Sequence, residues 1–143
     1  MPIDEIDREI LSEVARRGRI TQRELGAVVG LSPNAAGARL QRLIDRGVIA
    51  GFTAQLDHAA LGRPIEASID VWLSDSQDAS SIKELVLADD RVVECFHLTG
   101  PLDFRIRARV ASADDLNSLL TSFREHGVRQ TDSRLILEQI PTS

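Results

Sequence analysis

Along roughly the first fifty residues, apolar positions recur every three to four residues; beyond them, most runs alternate apolar and polar. Ile3, Ile6, Ile10, Leu11 and Val14 fall on one helical face between Asp4 and Arg17. Asp4, Glu5 and Asp7 in the first turn and Arg16 and Arg17 in the last complement the helix dipole, and Gly18 ends the helix. Thr21-x-x-Glu24 has the capping-box spacing that opens a second short helix carrying Leu25, Val28 and Val29 and closed by Gly30. Ser32 caps a third helix and Pro33 stands at its first position, where a missing N–H costs nothing. Ala36, Leu40, Leu43 and Ile44 point this helix at a core and Gly47 stops it.

The pattern then changes to period two over Val48 to Asp57, with Gly51 at the turn, which predicts a two-stranded wing. Asp57 to Pro64, with Gly62 and Pro64, reads as a linker. From Ile65, a half-buried strand alternates Ile65, Ala67, Ile69, Val71 and Leu73 against Glu66, Ser68, Asp70 and Trp72. Ser81-x-x-Glu84 predicts the cap of a helix with Ile82, Leu85 and Val86; strands follow over Val92 to Leu98 and from Phe104 to Val110, joined by a turn at Thr99 to Leu102. Ser112-x-x-Asp115 opens a helix with Leu116, Leu119, Leu120 and Phe123 inside and Gly127 at its end, before a last strand from Val128 to about Leu137. The order β-α-β-β-α-β is the ferredoxin-like pattern, so the fold class is α+β: a winged helix-turn-helix over 1–56, a linker over 57–64 and a ferredoxin-like domain over 65–143.

Two short helices joined by a Gly-containing turn and backed by a third form the helix-turn-helix arrangement, whose second member lies in the DNA major groove; the same geometry also suits a plain helical hairpin. Its outward face carries Asn34, Ala35, Gly37, Ala38, Arg42 and Asp45. Asn34 can pair bidentately with adenine, and Ala35 or Ala38 can touch a thymine methyl. No Arg occupies the first turn and a half, so an A/T-leaning site is expected, with selectivity drawn from DNA bendability. Arg19, Arg39 and Arg42, with Thr21 and Gln22, are candidate phosphate contacts, although Arg39 flanks the apolar stripe and equally suits an internal salt bridge. With Ser32 and Pro33 at the reading helix's start, these residues make up the expected DNA interface. Two such helices in a dimer would meet successive major grooves roughly 34 Å apart.

An acidic balance, 17 Lys and Arg against 22 Asp and Glu, argues at first against a polyanionic partner. Residues 1–50, however, hold eight Arg and seven acidic residues, a net of +1, and the remainder nets −6, so the acidity belongs to the second half. Aromatics at 3%, with no Tyr, give little support to stacking on single strands. The single Cys95 excludes an intrachain disulfide, and with three histidines at no ligand spacing no metal site or cofactor is expected. No apolar run reaches membrane-span length and the first residues are acidic, so a cytoplasmic location is expected, with no membrane partner. The ferredoxin-like helices cover one sheet face; the other would carry Glu66, Asp70 and Trp72 beside Arg105, Arg107 and Arg109, a face suited to pairing with a second copy.

The stretches IDEIDREIL at Ile3 to Leu11, GRITQRELGAVVGLSP at Gly18 to Pro33, RLQRLIDRGVIAGFTAQLD at Arg39 to Asp57 and VVECFHLTGPLDF at Val92 to Phe104, in this order and spacing, resemble the Lrp/AsnC family of transcriptional regulators, also called feast/famine regulatory proteins. The resemblance covers nearly the whole chain. It implies a homodimer formed through the sheet domains and assembled further into an octamer, double-stranded DNA as partner, and an amino acid or related small metabolite as effector. The effector turn corresponds to Thr99, Gly100, Pro101, Leu102 and Asp103, where Pro101 stands in place of the acidic residue usual after the glycine, removing a backbone donor. Two other functions stay open on the sequence. Siroheme decarboxylases share the architecture, and Arg105, Arg107 and Arg109 could grip carboxylates, but His58, His97 and His126 are scattered; no catalytic residue is assigned. A ligand-binding module with weak DNA binding is the third reading.

Overall fold

The structure is a computed structural model that describes residues 2–140. Its contacts divide the chain into two compact units that meet between Gln55 and Leu56. In the first, three helices form: α1 (Glu5–Arg17), α2 (Gln22–Val29) and α3 (Pro33–Asp45). Each begins where a short polar side chain can accept the orphan N–H groups of a first turn. Asp4 and Asp7 cap α1 reciprocally, Thr21 and Glu24 do so for α2, and the Ser32 hydroxyl accepts the Ala35 N–H at 3.2 Å at the start of α3. Ile10, Val14, Leu25, Val29, Ala36 and Leu43 form the core, with Ile6, Leu11, Ile20, Leu31, Leu40 and Ile49 packed around it. Fully burying Ile10, Leu25 and Leu43 supplies about 1.5–3 kcal/mol each.

The wing expected over 48–57 is not a hairpin here. Val48 and Ile49 both donate to the Leu43 carbonyl, at 2.9 and 3.2 Å, extending the end of α3. No turn forms at Gly51, and no strand lies between Asp45 and Ile65 among the described residues. Val48, Phe52 and Leu56 stay exposed, because period two encodes a strand only when a partner strand or a core receives one face.

The second unit contains β1 (Ile65–Leu73), α4 (Ala79–Ala88), β2 (Val92–His97), β3 (Phe104–Val110), α5 (Ala113–Glu125) and β4 (Val128–Leu135). The strands form one antiparallel sheet in the order β2-β3-β1-β4, the ferredoxin-like arrangement. Ala67, Ile69 and Val71 of β1 and Phe104, Ile106, Ala108 and Val110 of β3 are buried with Ile82 of α4 and Leu119 and Phe123 of α5. α4 starts earlier than its sequence pattern indicates: Asp78, not Ser81, is the N-cap, its carboxylate accepting the Ser80 N–H at 2.6 Å. Carboxylate and hydroxyl both suit this position, and Asp78 is reached first. Among the described residues no helix is long and apolar enough to cross a membrane.

On the other sheet face, the register sets Asp70 opposite Arg105 and Glu66 opposite Arg109. Arg105 Nε stands 2.7 Å and Arg134 Nη1 3.1 Å from the Asp70 carboxylate, and Arg109 Nη2 stands 2.6 Å from Glu66. Arg107 lies 3.3 Å from both Glu66 and Glu94, and its Nε makes no aligned hydrogen bond. Glu66 and Asp70 are buried beneath these guanidiniums although no helix covers them.

Candidate nucleic-acid interface and ligand turn

α3 divides by face. Ala36, Gly37 and Leu43 are buried, while Ser32, Pro33, Asn34, Ala35, Ala38 and Arg42 are exposed. Gly37, expected on the outward face, is turned inward, and a Cβ there would stand 2.5 Å from Cδ of Gln22. The absent side chain thus makes room for Gln22, which lies across α3. The turn between α2 and α3 is held by the Leu31 N–H donating to the Gly26 carbonyl at 2.9 Å, with Gly30 left-handed at φ 69°. A Cβ on Gly26 would meet the Leu31 carbonyl oxygen at 2.6 Å, so this position accepts only glycine without a backbone shift. Nothing in the sequence pattern singles out Gly26, since its neighbour is brought back by the turn.

The candidate phosphate contacts separate in the structure. Arg19 and Arg42 are exposed and make no ion pair among the described residues, and Arg23, passed over in the sequence, shares both properties on α2. The Thr21 hydroxyl is engaged in capping, accepting the Glu24 N–H at 3.2 Å and donating to the Glu24 carboxylate at 2.8 Å. These contacts hold the Glu24 carboxyl below its ordinary value, the Thr21 N–H contributing most. Arg39 has the geometry of the internal salt bridge: its Nη1 lies 2.6 Å from Asp4 and 2.9 Å from Asp7. That guanidinium, followed by the Asp7 N–H, lowers the Asp4 carboxyl in turn.

The turn between β2 and β3 carries the expected effector residues. Thr99, Gly100 and Pro101 are exposed, Leu102 and Asp103 partly buried, and Gly100 adopts φ 108°. Asp103 ties this turn to β1, its carboxylate accepting the Leu73 N–H at 2.8 Å and its own N–H donating to the Val71 carbonyl at 2.9 Å. Beside it the His97 ring stacks on Phe104 at 4.5 Å. A cleft of about 1140 Å³ lies in the first unit, between the end of α1 and residues 48–55, and includes none of the turn's residues. Among the described residues no cluster of His, Cys, Asp and Glu could hold a metal ion. His126 is a helix-end residue, its Nδ1 2.7 Å from the Ser122 carbonyl.

The family model for winged helix-turn-helix DNA-binding domains matches residues 3–50, and that for the Lrp/AsnC ligand binding domain matches residues 66–143. A helix-turn-helix-type transcriptional regulator of Pyrococcus furiosus is 34% identical over 135 residues, spanning 93% of this chain and 87% of that protein. The transcriptional regulator LrpA of Mycobacterium tuberculosis is 32% identical, spanning 94% and 90%. A Neisseria meningitidis transcriptional regulator in complex with L-methionine superposes with a TM-score of 0.91 at 28% identity, covering 99% of this chain and 94% of that one. The feast or famine regulatory protein of M. tuberculosis complexed with L-methionine gives 0.87 at 34% identity, covering 99% and 96%.

Proposed function

From the premise that the chain belongs to the Lrp/AsnC family of transcriptional regulators and pairs a DNA-binding helix-turn-helix with a ligand-binding domain, we propose how its residues divide that work. Residues 1–56 bind DNA, 57–64 link, and 65–143 pair subunits and take the effector. α3 enters the major groove by its N-terminal half, with Asn34 on adenine and Ala35 and Ala38 on thymine methyls, while Ser32 and Pro33 bring the helix start against the backbone. Arg19 and Arg42, joined by Arg23, neutralise phosphates, with Thr21 and Gln22 beside them. The observation that carries this reading is the division of α3: one face buried, the other holding Asn34, two alanines and an exposed Arg42.

The effector is an amino acid held at Thr99 to Asp103, a reading supported by the exposed, Asp103-tied turn and by relatives complexed with L-methionine. Binding acts only by favouring one arrangement of subunits over another. The uncovered sheet face with Asp70, Trp72, Arg105 and Arg107 pairs two copies, and pairs of dimers build toward an octamer. The carboxylates of this face are paired to arginines of the same chain, so it can meet a second copy without leaving a buried charge unpaired. The protein acts in the cytoplasm without enzymatic chemistry.

Fluorescence anisotropy of the full chain on the duplex upstream of its own gene, against a shuffled duplex over a range of salt, tests the DNA reading. Tight, salt-sensitive binding that prefers the native duplex is expected. Weak binding to both at low salt overturns it, and strict dependence on a G·C pair under the first turn of α3 overturns the A/T preference. Added L-methionine should shift the affinity or the sedimentation coefficient; a response in neither removes it as effector.

A further inference from the structure

Three observations in the first unit converge on Arg39. First, Arg39 leaves the outward face of α3 and bridges to the start of α1, one nitrogen donating to both Asp4 and Asp7 at 2.6 and 2.9 Å. Second, those acceptors are also held by contacts of their own. Asp4 uses its other oxygen to accept the Asp7 N–H at 2.8 Å, and Asp7 uses its other oxygen for the Asp4 N–H at 3.3 Å. Each carboxylate is therefore shared between capping α1 and holding α3. Third, Asp7 is 3% exposed, so the bridge has a buried anchor and is not a loose surface pair.

Two carboxylates share this one guanidinium, so the charge of Arg39 is already compensated within the protein. Arg42, three residues further along α3, makes no ion pair among the described residues and stands exposed, its charge reaching Asp4 only from a distance. Arg39 is also the neighbour of Ala38 and lies one turn from Ala35, so holding it fixes the rotation of the helix face that meets the bases.

We propose that Arg39 is a positioning residue for base recognition, which sets α3 against α1 through Asp4 and Asp7 and makes no phosphate contact; the proposal rests on α3 being the reading helix. A phosphate contact and a positioning contact leave different signatures. Loss of a phosphate contact weakens all sequences alike and lowers the salt slope by about 1. A misplaced reading helix weakens only the sequence it reads, by about tenfold for one lost base contact, at unchanged slope.

The test compares R39Q, D4N, D4N/D7N and R42Q with the parent full chain, on the preferred and the shuffled duplex across salt, with circular dichroism to confirm the helices. R42Q should lower the slope by about 1 and weaken both duplexes equally. R39Q and D4N/D7N should each weaken the preferred duplex about tenfold, leave the shuffled duplex and the slope as they were, and show no additive loss when combined. Because D4N removes only the exposed acceptor and spares the buried anchor, it keeps the comparison available should D4N/D7N fail to fold; a smaller loss of preference is expected. The proposal is overturned if R39Q behaves as R42Q, if R39Q changes nothing, or if D4N or D4N/D7N strengthens binding by releasing Arg39 to the phosphates. A parent chain that binds both duplexes equally overturns the reading-helix assignment itself, a failure visible before any variant is made.

Discussion

Two glycines of the helix-turn-helix separate what a missing Cβ can mean. At Gly26 the obstacle is backbone, the Leu31 carbonyl oxygen at 2.6 Å and the Pro33 nitrogen at 3.2 Å, and neither can move without opening the turn. At Gly37 it is the tip of Gln22, a flexible exposed side chain that can swing aside. G26A is therefore expected to destabilise by about 1–3 kcal/mol, as overpacking does. G37A should be neutral or stabilising by up to about 1 kcal/mol, because alanine is the better helix former and the displaced amide returns to water. Urea unfolding of both variants checks this, and an equal loss in the two would refute the distinction. The sequence marks Gly37 as a glycine inside a helix but points it to the wrong side. It is silent on Gly26, because the atom that forbids a side chain there belongs to a residue five positions on and returns only when the turn closes.

Among whole elements, legibility follows the range of the interaction that defines each one. Caps act over two or three residues, and the patterns Thr21/Glu24, Ser32-Pro33 and Ser112/Asp115 stand in the sequence as they stand in the structure, while Asp4 and Asp7, read there only as first-turn charges, prove to be a reciprocal cap. Even the mistaken cap at Ser81 errs by three residues, since Asp78 offers the same chemistry earlier. The wing errs more deeply, because a hairpin needs a partner strand that the alternation of Val48, Ala50, Phe52 and Ala54 cannot itself supply. The ferredoxin-like sheet is legible because its alternation is long and its inner face receives α4 and α5. For α3, the Ser32 hydroxyl satisfies a first-turn N–H that would otherwise face water, so S32A should cost about 1 kcal/mol in urea unfolding. Asparagine in its place keeps an acceptor for that N–H and should cost only a few tenths; if S32A and S32N are equally damaging, the side-chain acceptor is not the source.

At the scale of the molecule, part of the acidity of the second half proves to be paired charge. Asp70 is held by Arg105 and Arg134, and Arg91 is bracketed by Asp89 and Asp115 at 2.6 and 2.9 Å. The separation of charge along the sequence is plain, but most of the pairing is not: Asp89 and Arg91 are two residues apart, whereas the other contacts join residues 24 to 64 apart. These arginines pull the carboxyls below their ordinary value: Arg105 most strongly at Asp70, Arg91 at Asp89, and the Ala111 N–H followed by Arg91 at Asp115. In the unfolded chain the same groups titrate near the ordinary value of about 4. Between that value and the lower folded one, the unfolded chain binds more protons. Stability from these pairs is therefore complete above about pH 5 and is lost as the pH falls through about 4 toward the folded values. D70N should be less stable than the parent at neutral pH and lose less on acidification, because the titrating group is gone while the buried amide leaves Arg105 and Arg134 without their counter-charge. Urea midpoints of both proteins at about pH 7, 5, 4 and 3 decide the matter. Parallel curves would show that Asp70 contributes nothing to the acid limb, and would leave it to the other lowered carboxyls, Asp89 and Asp115 among them.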